Sequence, residues 1–143
     1  MESIPDDRLD LFEKPSIATF ASLLPSGHPQ VTPVWVDYDG THLLVVTRKE
    51  TRKYRNVTHD PRVTVTIIDP DDSYRYVEVR GEVEMMPEEG ALAFSDAQAQ
   101  RYWGVEEYPY ARDEPRVLLH IRPDRVVAPT VESPVREHAE HDS

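Results

Sequence analysis

The residues best placed to do chemistry lie in one octapeptide, RKETRKYR, running from Arg48 to Arg55. It carries five cations (Arg48, Lys49, Arg52, Lys53 and Arg55) and one anion, Glu50. The 143-residue chain as a whole has 16 Lys plus Arg against 27 Asp plus Glu, a formal charge of −11. Such a cluster in an acidic chain reads either as a solvated helix face or as an anion site. The following stretch, TRKYRNVTHD (51–60), has the length and cap of a short helix, with Thr51 as N-cap and Pro61 as stop. A helix start offers unpaired N–H groups and a partial positive charge. Cations gathered there oppose the helix dipole unless an anion joins them. The spacing therefore points to an anion site at a strand–helix junction, with Thr51 adding a hydroxyl and Arg52 or Lys53 adding charge-assisted hydrogen bonds.

Other chemistries find little support. The chain has no cysteine, and no serine sits in a G-x-S-x-G turn. The histidines are His28, His42, His59, His120, His138 and His141, and none forms H-x-H or H-E-x-x-H, so the spacing predicts no metal centre. The five glycines make neither G-x-G-x-x-G nor a P-loop. A nucleotide-like cofactor would have to be held by side chains and a helix end.

These residues need a scaffold. The length predicts one domain with a real core, over 1–129, followed by a polar tail, 130–143, expected to fray. No apolar run approaches the ~20 residues that span a bilayer. The start, MESIPDDRLDLFEK, is acidic where a signal peptide would be basic and then apolar, and with no cysteine to pair the expected location is cytoplasmic. Net negative charge argues against nucleic acid or membrane as partner.

Along the chain, 5–13 reads as a short helix, and SIATFASLL (16–24) with PQVTPVWVDY (29–38) reads as a hairpin turning at Pro25-Ser26-Gly27. A turn at Asp39-Gly40 leads to strand THLLVVT (41–47), then come the basic helix and strand RVTVTIID (62–69). YRYVEVRGEVEMM (74–86) is a long strand in which Gly81 signals a bulge or bend. PEEGALAFSDAQAQRYW (87–103) is a helix, and RVLLHIRPDRVVAP (116–129) a last strand with Pro123 as a break. Six strands in hairpin order with inserted helices predict a mainly β, compact antiparallel barrel.

Three landmarks, ATFASLLPSGHPQVTPVW, TRKYRNVTHDPRV and YVEVRGEVE, together resemble the flavin-binding split-barrel relatives of pyridoxamine 5′-phosphate oxidase. The resemblance covers 16–86, and RVLLHIRPDRVV (116–127) is similar to the closing strand. The short chain most resembles the branch of coenzyme F420-dependent enzymes. The resemblance implies a six-stranded split barrel that forms a homodimer, with F420, or alternatively FMN, in a groove at the interface. By position, Lys53 and Thr51 would contact the cofactor phosphate with Arg48 or Arg52 close by, and Thr32, Pro33, Val34 and Trp35 would lie along the ring. Thr47 would reach the ring's polar edge or the ribityl chain, and Tyr74 or Tyr76 would wall the site. Residue reading alone leaves Trp35 equally a core or interface aromatic, and the two tyrosines equally a dimer patch. The implied activity is hydride transfer between deazaflavin and a small unsaturated substrate. An FMN-dependent oxidase or flavin reductase, or a non-catalytic flavin or haem carrier, are the alternatives.

Overall fold

In a computed structural model, which describes residues 1–130, the strands join in one antiparallel sheet of seven with the order β2-β1-β5-β6-β7-β4-β3. They are β1 (Ala18–Leu23), β2 (Pro29–Val34), β3 (Asp37–Tyr38), β4 (Leu43–Arg48), β5 (Arg62–Asp69), β6 (Asp72–Met85) and β7 (Arg116–Val127). Helices are inserted between them: α1 (Asp10–Glu13) after a short 3₁₀ turn, α2 (Arg52–His59) between β4 and β5, and α3 (Ala91–Trp103) between β6 and β7.

The barrel follows from one short connection. β2 and β3 form opposite edges of the sheet, yet only Trp35 and Val36 separate Val34 from Asp37 in the chain. Three peptide steps reach at most about 11 Å, whereas seven flat strands would span about 29 Å. The sheet must therefore curl until its edges meet, and no backbone pairing joins β2 to β3 at that seam. The expectation of six strands is corrected here to seven. The run 29–38 holds two strands because its first half pairs with β1 (Thr32 opposite Phe20) and its second with β4 (Asp37 opposite Leu44). Between them the chain crosses from one edge to the other.

Alternation places the core inside. Val63, Val65 and Ile67 of β5 are buried, and Phe20, Val45, Val77, Val79, Leu119 and Ile121 join them from neighbouring strands. Gly81 marks a real irregularity: the β6–β7 register shifts between Arg80 and Gly81, and a Cβ at Gly81 would lie 1.9 Å from the Arg122 carbonyl oxygen. Pro123, expected to break the last strand, instead sits opposite Gly81 within it. The bulge takes up the missing proline N–H. Helix α3 starts at Ala91 rather than at Pro87, because Gly90 adopts a left-handed φ of 80° just before it.

Residues 131–143, including His138, His141 and nearly all of the expected tail, lie outside the described residues. Among the described residues no helix is long and apolar enough to cross a membrane.

Candidate functional site

Helix α2 begins where the sequence places it. The Thr51 hydroxyl accepts the Tyr54 N–H at 3.2 Å and donates to the Arg48 carbonyl at 2.9 Å, so it caps the helix and ties it to the end of β4. Thr47 Oγ1 lies 2.8 Å from Thr51 Oγ1, and with the Thr51 hydrogen already given to Arg48, Thr47 is the donor. Tyr54 N–H is thus used, which leaves the first-turn N–H groups of Arg52 and Lys53 without intrahelical partners. Buried Asn56 holds the helix against the hairpin, donating to Ser22 at 3.1 Å and to Gln30 at 2.9 Å.

The five cations of the basic segment fall into distinct environments. Arg48 is paired with Glu50 at 2.6 Å and Glu114 at 2.5 Å, and Lys49 with Glu88 at 2.6 Å. Arg55 donates to the Glu50 carbonyl, and Arg52 is exposed. Lys53 differs from all of them. Among the described residues it has no ion pair; its ammonium lies 5.7 Å from the Phe20 ring centroid, and burial pushes its pKa below the ordinary lysine value. A cation withdrawn from water without a counter-ion is costly. It is the clearest unsatisfied charge beside the helix start.

Lys53 borders a cavity of about 420 Å³, a size typical of small-molecule sites. The cavity collects Pro33, Val34, Trp35, Thr47, Arg48, Thr51 and Lys53 of the residues singled out from the sequence. Thr32, Arg52 and Tyr76 do not line it. Thr32 alternates to the other side of β2 from Pro33, with its hydroxyl buried and unpaired. Tyr76 sits on β6, where its carbonyl accepts from Arg8 at 3.2 Å, and Tyr74 is 45% exposed on the same strand.

The remaining wall comes from a region the sequence reading left out. Ser95, Gln98 and Trp103 of α3, Tyr108 of the following loop and Arg116 at the start of β7 line the same cavity, with Ile17 and Val46. Trp35 stacks on Tyr102 at 4.7 Å and meets Trp103 edge-on at 4.5 Å, and Trp103 in turn stacks on Tyr108 at 5.7 Å. These contacts form an aromatic shelf whose outer ring, Trp103, is 50% exposed. Asp96 fixes the loop beneath it by accepting the Tyr108 N–H at 2.9 Å and pairing with Arg112 at 2.6 Å. Gln98 donates to Asp37 at 3.0 Å, and Arg101 also pairs with Asp37, which locks α3 to the edge strand β3. Buried Arg116 donates to the Ala111 carbonyl, leaves its Nε without a partner and lies 5.6 Å from the Tyr108 ring. The whole is a cationic, hydroxyl-lined corner at one end of an aromatic shelf, with no paired acid and base at its centre. It suits an anionic ligand bearing a flat ring system.

Comparison with known proteins gives the family and the fold. Residues 4–128 match the family described as Pyridoxamine 5′-phosphate oxidase. Among solved structures, one described as an F420 reductase is 35% identical, covers 87% of this chain and 98% of its own, and superimposes with a TM-score of 0.79. A conserved hypothetical protein from Mycobacterium tuberculosis is 22% identical, with 92% and 94% covered and a TM-score of 0.70. General Stress Protein 26 from Bacillus anthracis is 19% identical, with 85% and 91% covered and a TM-score of 0.64. These last two likenesses are of fold. Among curated proteins no sequence matches.

Proposed function

We propose that this chain, which belongs to the pyridoxamine 5′-phosphate oxidase family, is an oxidoreductase that holds coenzyme F420 in the cavity between α2 and α3. The observation that carries the reading is Lys53, half-buried, without an ion pair among the described residues, and bordering that cavity at the start of a capped helix. The residues present fit a phosphate-bearing deazaflavin. Lys53, the free N–H groups of Arg52 and Lys53, and Arg48 after release from Glu114 would hold the phosphate. The Thr51 hydroxyl is committed to the cap, so its part is to set the helix start rather than to donate to the ligand. Pro33, Val34 and Trp35 would flank the ring, with Thr47 at its polar edge.

When bound, the deazaflavin supplies a hydride to an electron-poor double bond. The chain's own work is to position and to exclude water. Trp35, Trp103 and Tyr108 give an apolar aromatic wall against which a small unsaturated substrate can lie. Buried Gln98 and Ser95 present polar groups to the same space. F420 is favoured over FMN by the 35% identity to an F420 reductase. The groove would be completed by a second copy of the chain, for which Ile17 and Val31, exposed at 54% and 59%, offer an apolar contact. Side-by-side fluorescence titration with F420 and FMN tests the cofactor. FMN binding without F420 binding would move the chain to the FMN reading, and tight binding without turnover over a panel of enones and quinones would make it a carrier. Light scattering that shows only a monomer would remove the interface groove.

A further inference from the structure

A second cluster of chemistry-bearing side chains lies outside that cavity, where the β3–β4 turn meets β7. Asp39 and His42 sit at either end of the turn that follows Tyr38, and His120 lies on β7 opposite Leu44 of β4. One ligand atom from each of the three falls within 4.8 Å of the other two. Their separation in the chain, with 120 far from 39 and 42, hides them from any reading by spacing.

Three features distinguish this cluster from chance proximity. The Nδ1 of His120 is buried and has no hydrogen-bond partner, a rarity for a buried polar atom and a cost to folding if nothing joins it. The Nε2 of His42 is 2.6 Å from Glu84 Oε2, and Glu84 is itself held by Arg122 at 3.2 Å. With the Nε2 hydrogen given to Glu84, the other ring nitrogen of His42 keeps its lone pair. This carboxylate–imidazole pairing is the outer-sphere arrangement that orients metal-bound histidines. Asp39 is also pre-set: its Oδ1 accepts the N–H groups of Thr41 at 2.8 Å and His42 at 2.7 Å, which leaves its second oxygen outside those bonds. All three ligands therefore stand on a tight turn or a paired strand.

We propose that Asp39, His42 and His120 bind one divalent transition-metal ion of the zinc type, with Glu84 orienting His42. Two imidazoles and a carboxylate suit zinc, nickel or copper rather than magnesium or calcium. A tetrahedral ion with bonds of about 2.0–2.1 Å sets ligand–ligand edges near about 3.4 Å. From a largest separation of 4.8 Å, a closure of at most about 1.4 Å brings the set into range. Asp39 is exposed, so an ion can reach the cluster from solvent. The ion would clip the two-residue edge strand β3, next to the barrel seam, onto β7. The proposal is independent of which cofactor fills the cavity.

The test uses the full chain stripped with chelator, titrated with ZnCl₂ by calorimetry and with CoCl₂ by visible absorption. The expected result is one equivalent of Zn²⁺ bound, tetrahedral ligand-field bands with Co²⁺, and no response to Mg²⁺. Glu84→Gln should weaken Zn²⁺ binding about 10–100-fold, and His42→Gln and His120→Gln should abolish the Co²⁺ bands. The double substitution His138→Ala with His141→Ala should leave them intact. The site is overturned by the absence of Co²⁺ bands in the folded wild-type chain. It is equally overturned by bands that persist in His120→Gln or disappear with the His138 and His141 pair.

Discussion

Two charged corners of the barrel are built in opposite ways. At one, Asp69 is only 6% exposed and is bonded by Lys14 at 2.8 Å and by Arg75 at 2.8 Å, with Asp10 completing the pairing of Arg75 at 2.5 Å. Burial alone would raise the Asp69 carboxyl, but the bonds from Lys14, the Asp71 N–H and Arg75 hold it at about 2. At the other, Lys53 is withdrawn from water with no carboxylate beside it, and burial lowers its pKa. The first corner is complete within the chain and ties α1 to β5 and β6. The second has no anion beside it among the described residues, and the proposed phosphate would supply one. The same residue types serve structure where each charge has its partner, and point to a ligand where one charge has none.

The widest separation between the corners should appear in stability. Asp69→Asn leaves Lys14 and Arg75 short of a counter-ion and should cost about 2–3 kcal/mol, below the usual range for a fully buried pair because both cations are partly exposed. Denaturant unfolding measures it, and a change below 0.5 kcal/mol, the size of an ordinary surface substitution, would put the two corners in one class.

The next effect is on binding. Lys53→Ala should weaken F420 by about 1.5–3 kcal/mol, roughly 10–150-fold, the range for a hydrogen bond to a charged group. The free protein should not be destabilised by loss of the charge, since that charge is desolvated and unpaired.

Titration separates the corners by cause rather than by direction: both folded pKa values are lowered, so both contributions rise with pH, but the Asp69 charge stabilises the fold whereas the Lys53 charge burdens it. Asp69 has a folded pKa depressed from 3.8 to about 2, so its contribution is present above pH 3.8 and is lost as pH falls towards 2. Lys53 has a folded pKa lowered from 10.5, so the unfolded chain holds its proton more tightly. Its contribution to stability therefore rises as pH climbs from that lowered value towards 10.5. Comparing the pH dependence of unfolding in wild type and Lys53→Met isolates that slope. Wild type should gain on the variant across this window, and parallel curves would mean that Lys53 is solvated.

Smaller effects sharpen the outline of the site. Trp103→Ala, at the exposed end of the shelf, should weaken ligand by about 1 kcal/mol while barely moving the melting temperature. Arg52→Ala, exposed and outside the cavity lining, should change binding by less than about 0.5 kcal/mol. A larger loss would bring Arg52 into the phosphate corner.

Much of this was legible in the residues themselves, and the exceptions share a cause. The β1–β2 hairpin, β5, the bulge at Gly81 and the Thr51 cap are local features, written in turn residues, alternation and capping chemistry within ten or so positions. The division of 29–38 into two strands was not visible, because Trp35 and Val36 look like more strand until their neighbours at opposite sheet edges are known. The cavity wall from Ser95, Gln98, Trp103, Tyr108 and Arg116 was missed because its residues belong to a helix face and an irregular loop. The signal available was the density of aromatics over 102–110, where Tyr102, Trp103, Tyr108 and Tyr110 follow closely in a chain with only 8% aromatic residues. Asp39, His42 and His120 were hidden in the same way, since strand pairing rather than spacing brings them together.

On the proposed function, Lys53 is an unpaired cation awaiting a cofactor phosphate. A fluorescence titration of F420 against wild type and Lys53→Ala at one ionic strength decides whether it is. Saturable binding by wild type, weakened at least tenfold in a variant that unfolds no more easily, is the predicted result. Equal affinity in the two proteins, or no F420 binding by folded wild type, would contradict it.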